Sequence, residues 1–208
     1  EGIRDTLYMT LASTLFGYII GLPMGIVLTV TDKDGIRPNA AAYKVLDVIS
    51  NLLRSIPFII LLIVLIPFTR FVVGRSYGST ATIVPLTIAA APYIARMVES
   101  SLKEVDAGVI EAARSMGASD FQIVTRVMLV EARTSLIVGA TISLGTILGY
   151  SAMAGTVGGG GLGDIAIRYG YTRWQTDIMV VTVVLLVILF QIFQTIGMKI
   201  ANRLDRRK

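Results

Sequence analysis

The chain has no cysteine and no histidine among its 208 residues. Disulfides, thiolate or imidazole metal sites and cysteine nucleophiles are therefore excluded, and no metal site is expected. Charge is scarce as well: Asp, Glu, Lys and Arg make up 16% of the residues, against 54% hydrophobic. With a mean hydropathy of +0.72, the composition lies far from the soluble average and describes a membrane protein. The phosphate loop G-x-x-x-x-G-K-[ST] is missing, so the chain does not capture ATP by that route and any pumping must draw its energy from a partner.

What is present is a series of apolar runs. Uncharged stretches cover Thr6–Thr31, Ser55–Thr69, Ser76–Ala95, Thr134–Gly163 and Ile178–Met198, and about 20 residues are needed to cross the hydrocarbon. The second run is short. Extended back through Val45, Val48, Ile49, Leu52 and Leu53 it predicts a crossing helix, with Asp47, Asn51 and Arg54 on one stripe. The expectation is an all-α polytopic membrane protein of five transmembrane helices, forming a single domain over 1–208. A cleaved signal peptide is the alternative for the first run, but it lacks a basic start and exceeds a signal core in length. The absence of an initiator Met predicts trimming.

Lys and Arg accumulate in cytoplasmic loops. Lys33, Arg37 and Lys44 follow the first span; Arg96, Lys103, Arg114, Arg126 and Arg133 follow the third; Lys199, Arg203, Arg206, Arg207 and Lys208 follow the fifth. The opposite side holds only Arg4, Arg70, Arg75, Arg168 and Arg173. This predicts an external amino terminus and a cytoplasmic carboxyl terminus. The net charge of +5 is then a matter of topology and lipid headgroups, and no nucleic-acid partner is expected.

Gly17, Gly21 and Gly25 recur every fourth residue in the first span, a small-residue face for close helix approach. Gly139, Ser143, Gly145 and Gly149 make the fourth span equally small-sided, which predicts a central position in the bundle. Pro23, Pro57, Pro67, Pro85 and Pro92 predict breaks or bends. The uncharged interiors of spans one, three, four and five hold no Asp, Glu, Lys or Arg for a buried ion pathway or proton relay, which argues against a secondary transporter.

One segment, "IEAARSMGAS", interleaves charges with small residues. Asp106 caps a predicted helix over Ala107–Met116, Gly117 ends it in a left-handed turn, and Ser119 with Gln122 makes a capping box for the next helix. Val109, Ile110 and Ala113 form an apolar stripe, with Glu111 and Arg114 pointing elsewhere. A low knob of this kind fits a partner's groove; an amphipathic segment lying on lipid or on its own bundle fits the same pattern.

Glu111-Ala112-Ala113, then Gly117, then Val127 and Leu129 resemble the E-A-A-x-x-x-G-x(9)-I-x-L-P signature of bacterial ABC importer permeases, with Val130 where that family has proline. Further, "NLLRSIPFIILL", "IVPLTIAAAPYIARMVE" and "GYSAMAGTVGGGGLGDIAIRYGY" look like the methionine importer permeases, from about Asp5 to the end of span five. The resemblance implies a non-enzymatic membrane subunit of an ATP-driven importer. It also implies a second copy of the chain, two cytoplasmic ATP-binding subunits that use ATP and Mg, and an external methionine-binding lipoprotein. Val109, Ile110, Glu111, Ala112, Ala113, Arg114, Met116, Gly117 and Ala118 are the coupling residues it implies. Tyr150, Ser151 and Met153, closing span four, are candidates for the path of methionine; for Met153, plain core filling is the alternative. Gly158, Gly159, Gly160 and Gly161 lie in a glycine run that lacks a nucleotide-binding context and reads as a flexible external turn for the binding protein. A permease for another small solute, or a membrane scaffold, is the remaining functional alternative.

Overall fold

A computed structural model describes residues 1–204, and among these every regular element is helical. The long elements are α1 (Gly2–Thr31), α5 (Ser79–Lys103), α9 (Arg133–Ala154) and α11 (Thr176–Leu204). Between α1 and α5 lie α2 (Ala40–Ser55), α3 (Phe58–Val64) and α4 (Ile66–Val73). Between α5 and α9 come α6 (Ala107–Ser115), α7 (Asp120–Gln122), a π-helical turn (Ile123–Met128) and α8 (Leu129–Glu131). A 3₁₀ turn (Gly155–Val157), α10 (Gly161–Ile165) and a second π-helical turn (Ala166–Tyr171) join α9 to α11. Arg206, Arg207 and Lys208, counted above for orientation, lie outside the described residues.

Four helices are long and apolar enough to cross a membrane, and a fifth crossing exists only if α2 and α3 count as one span bent by 102°. The second span expected over 45–69 is therefore met only as this bent pair, with the break at Pro57. Pro57 has no N–H for the helical ladder and Ile56 is extended (φ −81°, ψ 124°), so the helix stops at Ser55 and restarts at Phe58. Pro67, in the first turn of α4, opens a further segment. Pro23, Pro85 and Pro92 do not break anything: each lies within a continuous helix, its neighbours holding the backbone in place.

The centre of the bundle is α5. In its apolar window 72% of residues are buried, against 33% for α1, 33% for the α9 segment and 6% for α11. The central position expected for the fourth span is therefore corrected, because an exposed face of α9 carries Ile142, Gly149 and Met153. The glycine face of α1 lies on α5. A Cβ on Gly21 would come within 2.6 Å of the Ala91 carbonyl oxygen, and one on Gly25 within 2.6 Å of the Ala95 carbonyl oxygen. Backbones this close leave room only for hydrogen at both positions, and the contact replaces water-driven burial as the adhesive force within lipid. One core joins Ile94, Val98 and Leu102 of α5 to Ala113 of α6 and to Ile123, Val124 and Met128 of the π-helical turn. A second core, at the other end of the bundle, gathers Met9, Phe58, Leu62, Leu86 and Ala154.

Candidate coupling helix and translocation path

The knob forms as its residues require. The Asp106 carboxylate accepts the Gly108 N–H at 2.7 Å and starts α6. At the other end Gly117 has φ +83°. The Gly117 N–H donates to the Arg114 carbonyl and the Ala118 N–H to the Ala113 carbonyl, the paired bonds of a Schellman turn. Ser119 and Gln122 close the reciprocal capping box that begins α7. With Val130 in the family's proline position, the helical backbone carries on through the π-helical turn and α8 until Ala132.

Glu111, Ala112, Arg114, Gly117 and Val109 are exposed, as are Met116 at 82% and Phe121 at 77%. Ile110 and Ala118 are half-buried. Ala113 turns inward at 5% exposure and roots α6 in the core of α5. Its assignment to the partner-facing stripe is thus corrected: it seats the helix. Arg114 also has a structural tie, donating from Nη2 to the Ile36 carbonyl at 3.1 Å, which fastens the knob to the loop between α1 and α2. Phe121, a large apolar side chain on this surface, falls in the unspecified stretch of the signature between Gly117 and Val127, so the motif does not mark it.

Next to the knob lies an ion network that sequence reasoning missed. Glu99, 5% exposed, takes Arg96 at 2.7 Å, Lys103 at 2.8 Å and the Tyr43 hydroxyl at 3.2 Å. Lys103 reaches Asp32 at 2.7 Å, and Arg96 pairs with Asp47 and donates to the Asn51 side-chain oxygen at 3.2 Å. The ends of α1, α2 and α5 are thereby bound into one charged cluster, which satisfies a carboxylate that burial alone would not tolerate. The hydrogen bond from Lys103 holds the Asp32 carboxyl below the usual carboxylate range, so the link is fully ionised at neutral pH. The spacing Arg96, Glu99, Lys103 was the available signal, since i,i+3 and i,i+4 charges on one helix meet. Asp47 and Asn51 do share a stripe, joined by a bond of 3.2 Å, but they serve Arg96; among the described residues no carboxylate pairs with Arg54.

At the opposite end of α9 the candidate path residues separate. Met153 is 49% exposed. Tyr150 is half-buried and stacks on Phe58 with ring centroids 4.6 Å apart. Ser151 is buried, its hydroxyl bonded to the Leu148 carbonyl at 2.7 Å, so its place on a path is corrected. The glycine run is a tightly sewn turn. Gly159 and Gly161 are buried, and Gly158 and Gly160 are half-buried. A Cβ on Gly163 would run into the Ala152 carbonyl, and one on Gly155 into the Asp164 amide. The Leu162 N–H donates to Thr6 Oγ1 at 2.9 Å and the Gly78 N–H to the Gly158 carbonyl at 2.9 Å. The flexible turn expected there is corrected: a Cβ on Gly159 would meet the Ala154 carbonyl, and Gly158, Gly160 and Gly161 hold φ of +78°, +83° and +75°, which disfavour a side chain.

A knob of capped helices rooted in the core of a helical membrane bundle is the arrangement to compare with known proteins. The family model described as "Binding-protein-dependent transport system inner membrane component" matches residues 17–208. The chain belongs to this family. The permease is 48% identical over 203 residues to the "Probable D-methionine transport system permease protein MetI" of Vibrio cholerae, covering 98% of this chain and 90% of the relative. It is 54% identical over 155 residues to the D-methionine transport system permease protein MetI of Escherichia coli, covering 74% of this chain and 71% of the relative. Among solved structures, a chain from inward-facing conformations of the MetNI methionine ABC transporter is 51% identical, with TM-score 0.97 over 99% of this permease and 95% of that chain. An amino acid ABC transporter solved with histidines shares the fold alone, with TM-score 0.78 at 20% identity. The permease is thus a non-enzymatic, multi-pass inner-membrane subunit of an ABC importer, and ATP hydrolysis belongs to a separate subunit.

Proposed function

We propose that two copies of this chain form the membrane path of a methionine importer, and that the α6 knob of each copy seats in one of two cytoplasmic ATPase subunits. The observation that carries the substrate is the 48% identity to a methionine permease across 98% of the chain, together with the 51% identical MetNI chain of the same fold. The knob supports the coupling role. Its outer surface joins Glu111 and the small Ala112 to the exposed Met116 and Phe121, while Ala113 packs into the core that the π-helical turn shares with α5. A push on the knob therefore reaches the central transmembrane helix through close-packed atoms. ATP and Mg act in the partner subunit.

In this reading the knob faces the cytoplasm, the amino terminus lies outside and the carboxyl terminus inside, following the distribution of Lys and Arg. An external methionine-binding lipoprotein docks on the outer side. Of the glycine turn, Gly158 and Gly160 are the residues open enough to take part in that contact. Met153, on the uncovered face of α9, lines the path between the two copies, where a thioether suits an apolar amino acid.

The test is uptake of labelled methionine in cells lacking their own importer, supplied with this chain and its ATPase and binding-protein partners. ATP-dependent accumulation is expected. No uptake from a complex that assembles in the membrane would refute the substrate assignment.

A further inference from the structure

The break between α2 and α3 borders a half-open cavity of about 220 Å³ lined by Arg54, Ile56, Phe58, Tyr93 and Tyr150. Its volume is below the range of roughly 300–1,000 Å³ typical of drug-sized ligands and matches a single amino acid. Tyr93 lies well inside α5, away from both ends, so the cavity is set within the bundle.

Three features of this cavity bear on what it could hold. The first is Arg54, exposed, without a carboxylate partner among the described residues. The acid one stripe position away, Asp47, is already committed to Arg96. An arginine in a transmembrane segment is costly and ordinarily marks a partner or a pathway. The second is the broken helix itself: Pro57 offers no N–H to the carbonyl of Leu53, which also lines the cavity. The last turn of α2 thus presents carbonyl oxygen and the negative end of a helix dipole at the cavity that Arg54 also lines. The third is the stacked pair Phe58 and Tyr150, whose rings lie 5° from parallel and bring aromatic surface to the cavity lining.

We infer that this cavity is a substrate site in the permease that holds an α-amino acid by its backbone groups, an inference that rests on the methionine reading above. Arg54 takes the α-carboxylate with its planar pair of donors. The carbonyl end of α2 takes the ammonium, and the Phe58–Tyr150 wall takes the thioether side chain through sulfur–aromatic contact. A broken helix at this position is then a functional feature, since the break frees carbonyls within a crossing segment.

The experiment uses the complete permease–ATPase complex in lipid nanodiscs and a diazirine analogue of methionine that keeps the α-carboxylate and ammonium. Photolabel is expected on the peptides containing Phe58 or Tyr150. Methionine should suppress it, whereas methioninol, which lacks the carboxylate, should compete about tenfold or more less well, the scale of one lost charge-assisted hydrogen bond. Arg54→Gln should reduce labelling by a similar factor and abolish the preference for methionine over methioninol, while Arg54→Lys retains part of both. Equal competition by methioninol on the unmodified complex, or label confined to other peptides, overturns the site whatever the yield of the variants. The parallel control is uptake by the unmodified complex with its binding protein. Uptake without label in the cavity removes this site and leaves the methionine reading standing; no methionine uptake removes both.

Discussion

At the scale of single residues, Gly117 is the sharpest case. Its φ of +83° is required by the turn, yet a Cβ there would meet no atom within 4 Å. The requirement is therefore one of backbone conformation alone, and a side chain pays about 1–2 kcal/mol for the left-handed region, more if β-branched. Gly117→Val should disrupt the turn between α6 and α7 and lower methionine transported per ATP hydrolysed in proteoliposomes, with insertion intact. Gly117→Asn, whose side chain tolerates that region, should keep most of the coupling. Equal coupling ratios for Val and Asn would show that the turn does not transmit force. Ala113 illustrates the opposite situation: its burial, not its conformation, sets its role, and the sequence pattern alone put it on the wrong face.

At the scale of elements, α1 and α5 are held by proximity. Gly25 lies under Val98 and the Ala95 carbonyl, so any Cβ forces the helices apart. Overpacking costs typically about 1–3 kcal/mol, which outweighs the helix-propensity gain of up to about 1 kcal/mol that alanine has over glycine. Gly25→Ala should lower the thermal midpoint of the detergent-solubilised permease, and Gly25→Val should lower it further. A rise with either would mean that the two helices separate without loss. The ion network works on the same elements from one end, since Glu99 of α5 holds α2 through Tyr43, and α1 through Lys103 and Asp32. Of the five prolines flagged in the apolar runs, Pro57 alone interrupts a crossing helix at this scale, whereas Pro85 and Pro92 lie in α5, the most buried of the long helices.

At the scale of the whole molecule, the exposed apolar faces of α9 and α11 mark two environments. The face of α11, with Val180, Val184, Val187 and Ile188 exposed, suits lipid. That of α9, with Gly149 and Met153, is small-sided and suits a second copy. The absence of native cysteine makes orientation easy to measure. In spheroplasts, a membrane-impermeant maleimide should label a cysteine replacing Trp174, which is 86% exposed, from outside. A cysteine replacing Met116, 82% exposed on the knob, should react only after lysis. The reverse pattern would invert the topology and with it the coupling role.

Membrane character, the long apolar helices and the capped knob with its terminating glycine were legible in the sequence, because each depends on residues close together in the chain. Composition determines the solvent, and Asp106, Gly117, Ser119 and Gln122 act on backbone groups within a few positions of themselves. The tertiary structure alone decided that α5 and not α9 is central, that Ala113 and Ser151 face inward, and that the glycine turn is sewn to α1 and α5. It alone paired Asp47 with Arg96 and so left Arg54 open in the cavity at the helix break. These are contacts between segments distant in sequence, and in lipid, where apolar residues satisfy both interior and exterior, hydrophobic periodicity does not say which face of a helix meets its neighbours.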